Sequence, residues 1–339
     1  MSDALLAVRG LRVCYPLPAS RPWRRTQQIK AVDGVDFDLE PGETLGIAGE
    51  SGCGKSTLAR ALTGLQPITA GSARLAGQEL KDLERAGWRT LRRDVQMVFQ
   101  DAIASLDPRM TVAQIIAEPL LNLYPGIPST EQRDRVLDMA EQVGLPARNL
   151  HRYPHEFSGG QCQRIGIARA LVARPRLLIC DEPASALDVS IRAQIINLLN
   201  GLQDKLNLAM IFISHDLAVL KSISHRVLIM YLGKVMEQAH CEELFADPAH
   251  PYTRALLSAA PLADPLQERA RRRITLDGEP PSPTAPPTGC VFHARCPWVA
   301  ARCRSEIPEP HRFTPHRVAA CHFVGTLGDV PAQRSDEGQ

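Results

Sequence analysis

The sequence has no apolar run of about 18 residues or more, so no transmembrane helix is expected. Its first residues, MSDALLAVRGLRV, lack a basic stretch followed by a long apolar one, which argues against a secretory signal. A formal net charge of +2 over 339 residues provides no strong field for steering the chain to nucleic acid. There is no internal repeat and no sustained heptad pattern, which leaves out solenoids and long coiled coils. Together these absences point to a cytosolic protein that meets a membrane only through partners. A hydrophobic fraction of 44% and a charged fraction of 22% describe an ordinary globular chain with a substantial core. Its length allows one large domain and a smaller one.

Nine cysteines are present. In a reducing compartment they are not expected to pair as disulfides. Cys14, Cys53, Cys162, Cys180 and Cys241 are scattered through patterned segments and read as small, buried or half-buried side chains.

Residues 4–13 and 31–39 alternate apolar and polar, as half-exposed strands do, and PLPASRPWRRTQQ between them reads as an exposed loop. TLGIAG (44–49) is a short buried strand and a helix should follow from Lys55 to about Leu65. Strands are expected at 95–100, 177–181, 209–214 and 226–232, with helices at 111–123, 130–143, 158–173 and about 190–204. This alternation indicates an α/β fold around a parallel sheet, with an antiparallel portion contributed by the strand-rich first third. Beyond about Ala260 the composition changes. A proline-rich linker is expected over 261–288, a small four-cysteine module over 289–323, and a disordered tail over 324–339.

The strongest motif is Gly49-Glu50-Ser51-Gly52-Cys53-Gly54-Lys55-Ser56-Thr57, which fits the phosphate-binding pattern G-x-x-x-x-G-K-S/T between a strand and a helix. Glycines let the backbone N–H groups close around phosphate oxygens, and the following helix adds its positive end. Lys55 is expected on the β- and γ-phosphates and the Ser56 hydroxyl on Mg²⁺. LLICDE (177–182) places two carboxylates at the end of an apolar strand, where a doubly wound sheet displays its chemistry. Asp181 is expected to act on Mg²⁺ and Glu182 to polarise an attacking water. By itself the pair could equally favour a helix N-terminus; beside a phosphate loop the catalytic reading is preferred.

With Phe157-Ser158-Gly159-Gly160-Gln161 added, the sequence resembles the ATP-binding cassette family over roughly residues 4–260. The resemblance implies a P-loop cassette fold: a RecA-like parallel core, an antiparallel β subdomain and a helical subdomain at about 101–173, within an ATPase domain spanning 1–260. It implies that Ser158, Gly159, Gly160, Gln161 and Asp188 serve the ATP of a partner subunit. It further assigns Gln100 to sensing Mg²⁺ and water, His215 to the γ-phosphate, and Tyr15 to stacking on adenine.

QDAIASLDPRMTV (100–112), HPYTRALLSAAP (250–261) and the four-cysteine tail narrow the resemblance to the dipeptide and oligopeptide importer branch, most like the second of its two paired ATPase subunits. That implies ATP hydrolysis energising peptide uptake at the cytoplasmic face of the cell membrane. The implied partners are a paralogous ATPase (a homodimer being possible), two transmembrane permeases and, indirectly, an extracytoplasmic peptide-binding protein, with no nucleic acid. Nickel or glutathione import is the alternative within the branch, and a soluble, non-transport cassette ATPase a more distant one.

Cys290, Cys296, Cys303 and Cys321 follow the spacing Cys-x5-Cys-x6-Cys-x17-Cys, without the tight pair common in zinc sites. Four thiolates still suit a soft metal centre, iron–sulfur or Zn²⁺. The resemblance favours a 4Fe–4S cluster, with zinc or four plain thiols as alternatives. A metal would also supply folding energy to a segment too short and proline-broken to build its own core.

Overall fold

The computed structural model describes residues 4–17, 28–260 and 273–328. The loop expected at 18–27, the first part of the linker and the last eleven residues of the expected tail lie outside them.

Two sheets organise the chain. The first is antiparallel, in the order β2-β1-β4-β5, from β1 (Leu6–Pro16), β2 (Gln28–Leu39), β4 (Ala70–Leu75) and β5 (Gln78–Glu79). The second has eight strands. Its parallel part comprises β3 (Thr44–Ala48), β6 (Val95–Val98), β7 (Leu177–Asp181), β8 (Ala209–Ile213) and β9 (Arg226–Tyr231), in the order β9-β3-β8-β7-β6. β3, β7, β8 and β9 are buried along their whole length, so they appear in the sequence as continuous apolar runs rather than alternating ones.

The pleat nonetheless sorts their side chains. Leu177 and Ile179 of β7, with Ile211 and Ile213 of β8, face a core shared with the antiparallel sheet and α1 (Lys55–Leu62). Leu178, Cys180, Met210 and Phe212 face the opposite core. That second core packs α3 (Val112–Leu123), α4 (Ser129–Gln142), α5 (Gly159–Leu171) and α6 (Val189–Leu206). Four of the five scattered cysteines are buried and Cys14 is half-buried.

The C-terminal third departs from the simple modular picture. After β9 the chain turns at Leu232-Gly233 into β10 (Lys234–His240), antiparallel to β9. Helices α8 (Cys241–Ala246) and α9 (Pro251–Ala259) follow. The cysteine segment contains a short α10 (Ala301–Ser305) and a hairpin of β11 (His311–Thr314) and β12 (Arg317–Ala319). β12 pairs with β10 through Glu237↔Ala319 and Gln238↔Val318, so this hairpin forms the edge of the eight-stranded sheet. Cys290, Val291, Phe292 and Cys303 belong to the same buried cluster as the sheet. Residues 273–288 carry no helix or strand. At 324–328, where disorder was expected, the chain turns, with Thr326 N–H donating to Phe323 and Arg254 donating to the Leu327 carbonyl at 3.3 Å.

Candidate nucleotide site

The phosphate loop leaves the C-terminal end of β3 and enters α1, as the motif requires. Two of its glycines are demanded by backbone crowding. Gly49 lies at φ +150° and Gly54 at φ +108°; a Cβ would strike the Met230 carbonyl at the first and the Ala31 carbonyl at the second. Between them Cys53 is buried, and desolvation pushes its thiol pKa up in spite of the nearby Lys55 ammonium. Ser51 and Gly52 are exposed on the loop, and Thr57 is half-buried in the first turn of α1. Lys55 is buried, with its ammonium donating to the carbonyls of Gly49 at 2.7 Å and Glu50 at 3.0 Å. These neutral acceptors hold the cation over the loop without neutralising it.

The acidic strand end comes to the loop from β7. Ser56 Oγ donates to Asp181 at 2.9 Å. Burial raises the Asp181 pKa; the Ser56 hydrogen bond acts the other way, and the neighbouring Glu182 charge adds to the rise. A buried carboxylate beside a hydroxyl is the hard-oxygen donor set that Mg²⁺ takes, with the cation's charge answering the desolvation. The residues therefore fit Mg²⁺.

Glu182 sits at φ +47°, a region non-glycine residues seldom occupy. Its carboxylate accepts from the Gln100 amide at 3.3 Å and lies 3.2 Å from His215 Nδ1. Gln100 lies two residues past the end of β6, and His215 two past the end of β8. Neither acid opens a helix, because α6 begins only at Val189; the alternative reading of the pair as a helix N-terminus is therefore not realised. The arrangement can orient a water molecule with Glu182 while Lys55 and His215 meet developing negative charge.

Tyr15 is half-buried near the end of β1, opposite Ile29 of β2. Two residues beyond Ile29 is Ala31, whose carbonyl abuts Gly54, so this corner of the antiparallel sheet borders the loop.

The signature residues form a separate surface. Ser158 caps α5 in a reciprocal box with Gln161, whose side chain accepts from Ser158 N–H at 3.0 Å. Gln161 is thereby tied up in capping. Gly160 gives room to Ile191 of α6, and Gly159 faces Leu187. Signature and Asp188 thus share one face, on which Ser158, Gln161 and Asp188 are exposed. Among the described residues their contacts run to each other's elements, not to Lys55.

This constellation has known counterparts. Residues 32–185 match the family described as ABC transporter. The chain belongs to the ABC transporter family. Residues 236–303 match the oligopeptide/dipeptide transporter C-terminal region, which places the cassette in that branch and accounts for α9 and much of the cysteine segment. The chain is 52% identical over 306 residues to the oligopeptide transport ATP-binding protein OppF of Salmonella typhimurium, covering 90% of this chain and 92% of that one. It is 51% identical over 297 residues to the di/tripeptide transport ATP-binding protein DppF of Pseudomonas aeruginosa, covering 88% and 91%. The dimeric ATP-binding cassette MJ0796 bound to ADP and Pi superimposes with a TM-score of 0.62 at 28% identity, over 70% of this chain and 98% of that one.

The four tail cysteines of this cassette line one cavity, together with His250, Phe292, Trp298 and Phe323. Cys290 and Cys303 are buried and joined through Cys290 N–H to the Cys303 carbonyl at 2.9 Å; Cys296 and Cys321 are half-buried. Desolvation, reinforced by the neighbouring thiols, pushes Cys296 up to about 12 and Cys321 up to about 11. Among the described residues no three His, Cys, Asp or Glu side chains converge on a single ion position.

Motif reading missed two contacts on the loop. Tyr252 of α9 accepts the Glu50 N–H at 2.9 Å through its hydroxyl, and Arg295 donates to the Glu50 carboxylate at 2.7 Å. Nothing local signals them: Arg295 is 245 residues from Glu50.

Proposed function

We propose that this ABC cassette is the ATP-hydrolysing subunit of a membrane importer that takes up di- and oligopeptides through partner permeases. The observation that carries the chemistry is the convergence of Lys55, Ser56, Asp181, Glu182, Gln100 and His215, delivered by the ends of β6, β7 and β8 and by α1, at one end of the parallel sheet. The peptide substrate is supported by the C-terminal region match and by relatives named for oligopeptide and di/tripeptide transport.

In this reading ATP lies with its phosphates on Gly49–Thr57 and its adenine toward Tyr15. Ser56 and Asp181, with Gln100, hold Mg²⁺, which neutralises charge on the phosphate oxygens when bound. Glu182 orients water for in-line attack on the γ-phosphate. Lys55 and His215 stabilise the charge that develops. The exposed face of Ser158, Gly159, Gly160, Gln161 and Asp188 closes over the ATP of a paralogous partner, giving a heterodimer at the cytoplasmic face of the inner membrane. The Gln100 loop and the segment after it pass closure to two permeases, which an extracytoplasmic binding protein supplies with peptide.

The cysteine cavity completes the proposal. Four thiols line one space, burial raises Cys290, Cys296 and Cys321, and with a soft cation bound the four would become thiolates. Four cysteines around one space suit a 4Fe–4S cluster, in which each thiolate would take its own iron, with Zn²⁺ as the alternative. It would act as a structural clasp.

A strain deleted for this chain and auxotrophic for one amino acid, fed that amino acid in defined di- and oligopeptides, tests the substrate. Loss of growth restored by the wild-type chain is expected. Normal peptide growth combined with lost nickel or glutathione uptake would move the assignment to those solutes.

A further inference from the structure

Glu50, the residue after the first glycine of the phosphate loop, has each of its polar groups engaged. Its carbonyl accepts from Lys55, its N–H donates to Tyr252, and its carboxylate accepts from Arg295. The last two partners come from the C-terminal region. Tyr252 lies in the first turn of α9; Arg295 ends the short 3-10 turn His293–Arg295, immediately before Cys296. The ion pair is sheltered, with the Arg295 side chain 9% and that of Glu50 26% exposed. Around it is an aromatic cluster. The Tyr231 ring packs edge-on to Tyr252 at 4.8 Å and to Phe292 at 5.3 Å, and the Arg295 guanidinium lies 6.0 Å from the Tyr231 ring centre. Phe292 also lines the cysteine cavity. A continuous packed path therefore runs from the four thiols to the phosphate loop.

We propose that Arg295 is a positioning residue for ATP binding: by holding the Glu50 carboxylate it fixes the loop that carries Lys55 and makes nucleotide affinity depend on docking of the four-cysteine region. Two physical effects combine. Arg295 neutralises a carboxylate that otherwise faces an anionic ligand, and it removes loop freedom that ATP would have to restrict on binding. By linkage, ATP must tighten the cysteine region as much as that region tightens ATP.

The test is the binding of a fluorescent ATP analogue with Mg²⁺ to the full-length chain. Arg295→Gln is expected to weaken affinity roughly 5- to 20-fold, within the usual range of such couplings. In the assembled transporter it should raise KM for ATP and leave kcat near wild type. Adding Glu50→Gln to Arg295→Gln should recover part of the affinity, because the unpaired carboxylate is gone. Wild-type affinity in a cooperatively melting Arg295→Gln chain would overturn the proposal, as would strictly additive losses in the double variant. If Arg295→Gln does not fold, hydrogen exchange on the wild-type chain decides. ATP with Mg²⁺ should slow exchange across residues 290–303, and unchanged exchange there would overturn the proposal.

Discussion

The phosphate site and the cysteine site are assembled by opposite means. At the phosphate loop the backbone does the placing: buried parallel strands end together, glycines tolerate carbonyls that no Cβ could approach, and Lys55, Ser56 and Asp181 are already bonded. At the cysteine cavity, four thiols come from a segment with one short helix and a hairpin that meets the sheet at two register pairs. Burial there opposes the ionised form that the proposed cluster would require of Cys296 and Cys321. A fold can therefore preset a site whose residues sit on its strand ends. A site on short loops is completed by the ligand that cross-links it.

Glu182→Gln should keep ATP affinity while lowering turnover in the assembled transporter by roughly 10²- to 10⁴-fold, the range for loss of a general base; equilibrium binding and phosphate release measure the two separately. Gly54→Ala comes next. Its Cβ meets the Ala31 carbonyl at a φ that disfavours alanine, so the strain alone costs on the order of 1–3 kcal/mol. ATP binding should fall and Tm with it, while iron content stays normal. In the tail, Cys296→Ser should abolish iron and sulfide retention after anaerobic purification, expose residues 289–323 to protease and weaken ATP affinity to about the extent expected for Arg295→Gln. A wild-type chain that purifies without iron or sulfide would remove the cluster.

A pH-dependent effect concerns His250, which is fully buried and accepts Tyr252 N–H on Nδ1 at 3.0 Å. Desolvation lowers its pKa from the usual 6.5 to about 3. The unfolded chain therefore binds more protons between those values. The stabilisation is complete above pH 6.5 and is lost as pH falls toward 3, at up to about 1.4 kcal/mol per pH unit. His250→Asn, which can still cap α9, should flatten that acid slope in thermal melts.

The catalytic half was legible in the sequence because its signals are local. A glycine-rich loop, an apolar strand ending in acids and a Ser-Gly-Gly-Gln cap each require nearby residues in fixed order, and the strand 177–181 matches residue for residue. The first helix stops at Leu62, three residues short of expectation. The strand β10 escaped notice for a physical reason. Its hairpin turns through Leu232 at φ +45° and Gly233 at φ +78°, a geometry normally announced by Asn-Gly or Asp-Gly. The attachment of β12 to β10 and the reach of Arg295 to Glu50 are long-range pairings with no sequence period, so only the folded chain displays them.

In the proposed importer, ATP hydrolysis is harnessed to peptide movement. ATP turnover by the chain reconstituted with its partner ATPase and permeases in lipid vesicles, with and without peptide-loaded binding protein outside, tests it most directly. Slow turnover by the isolated chain is expected, with a clear rise when loaded binding protein is added, abolished by Glu182→Gln. Turnover indifferent to partners and peptide would contradict it.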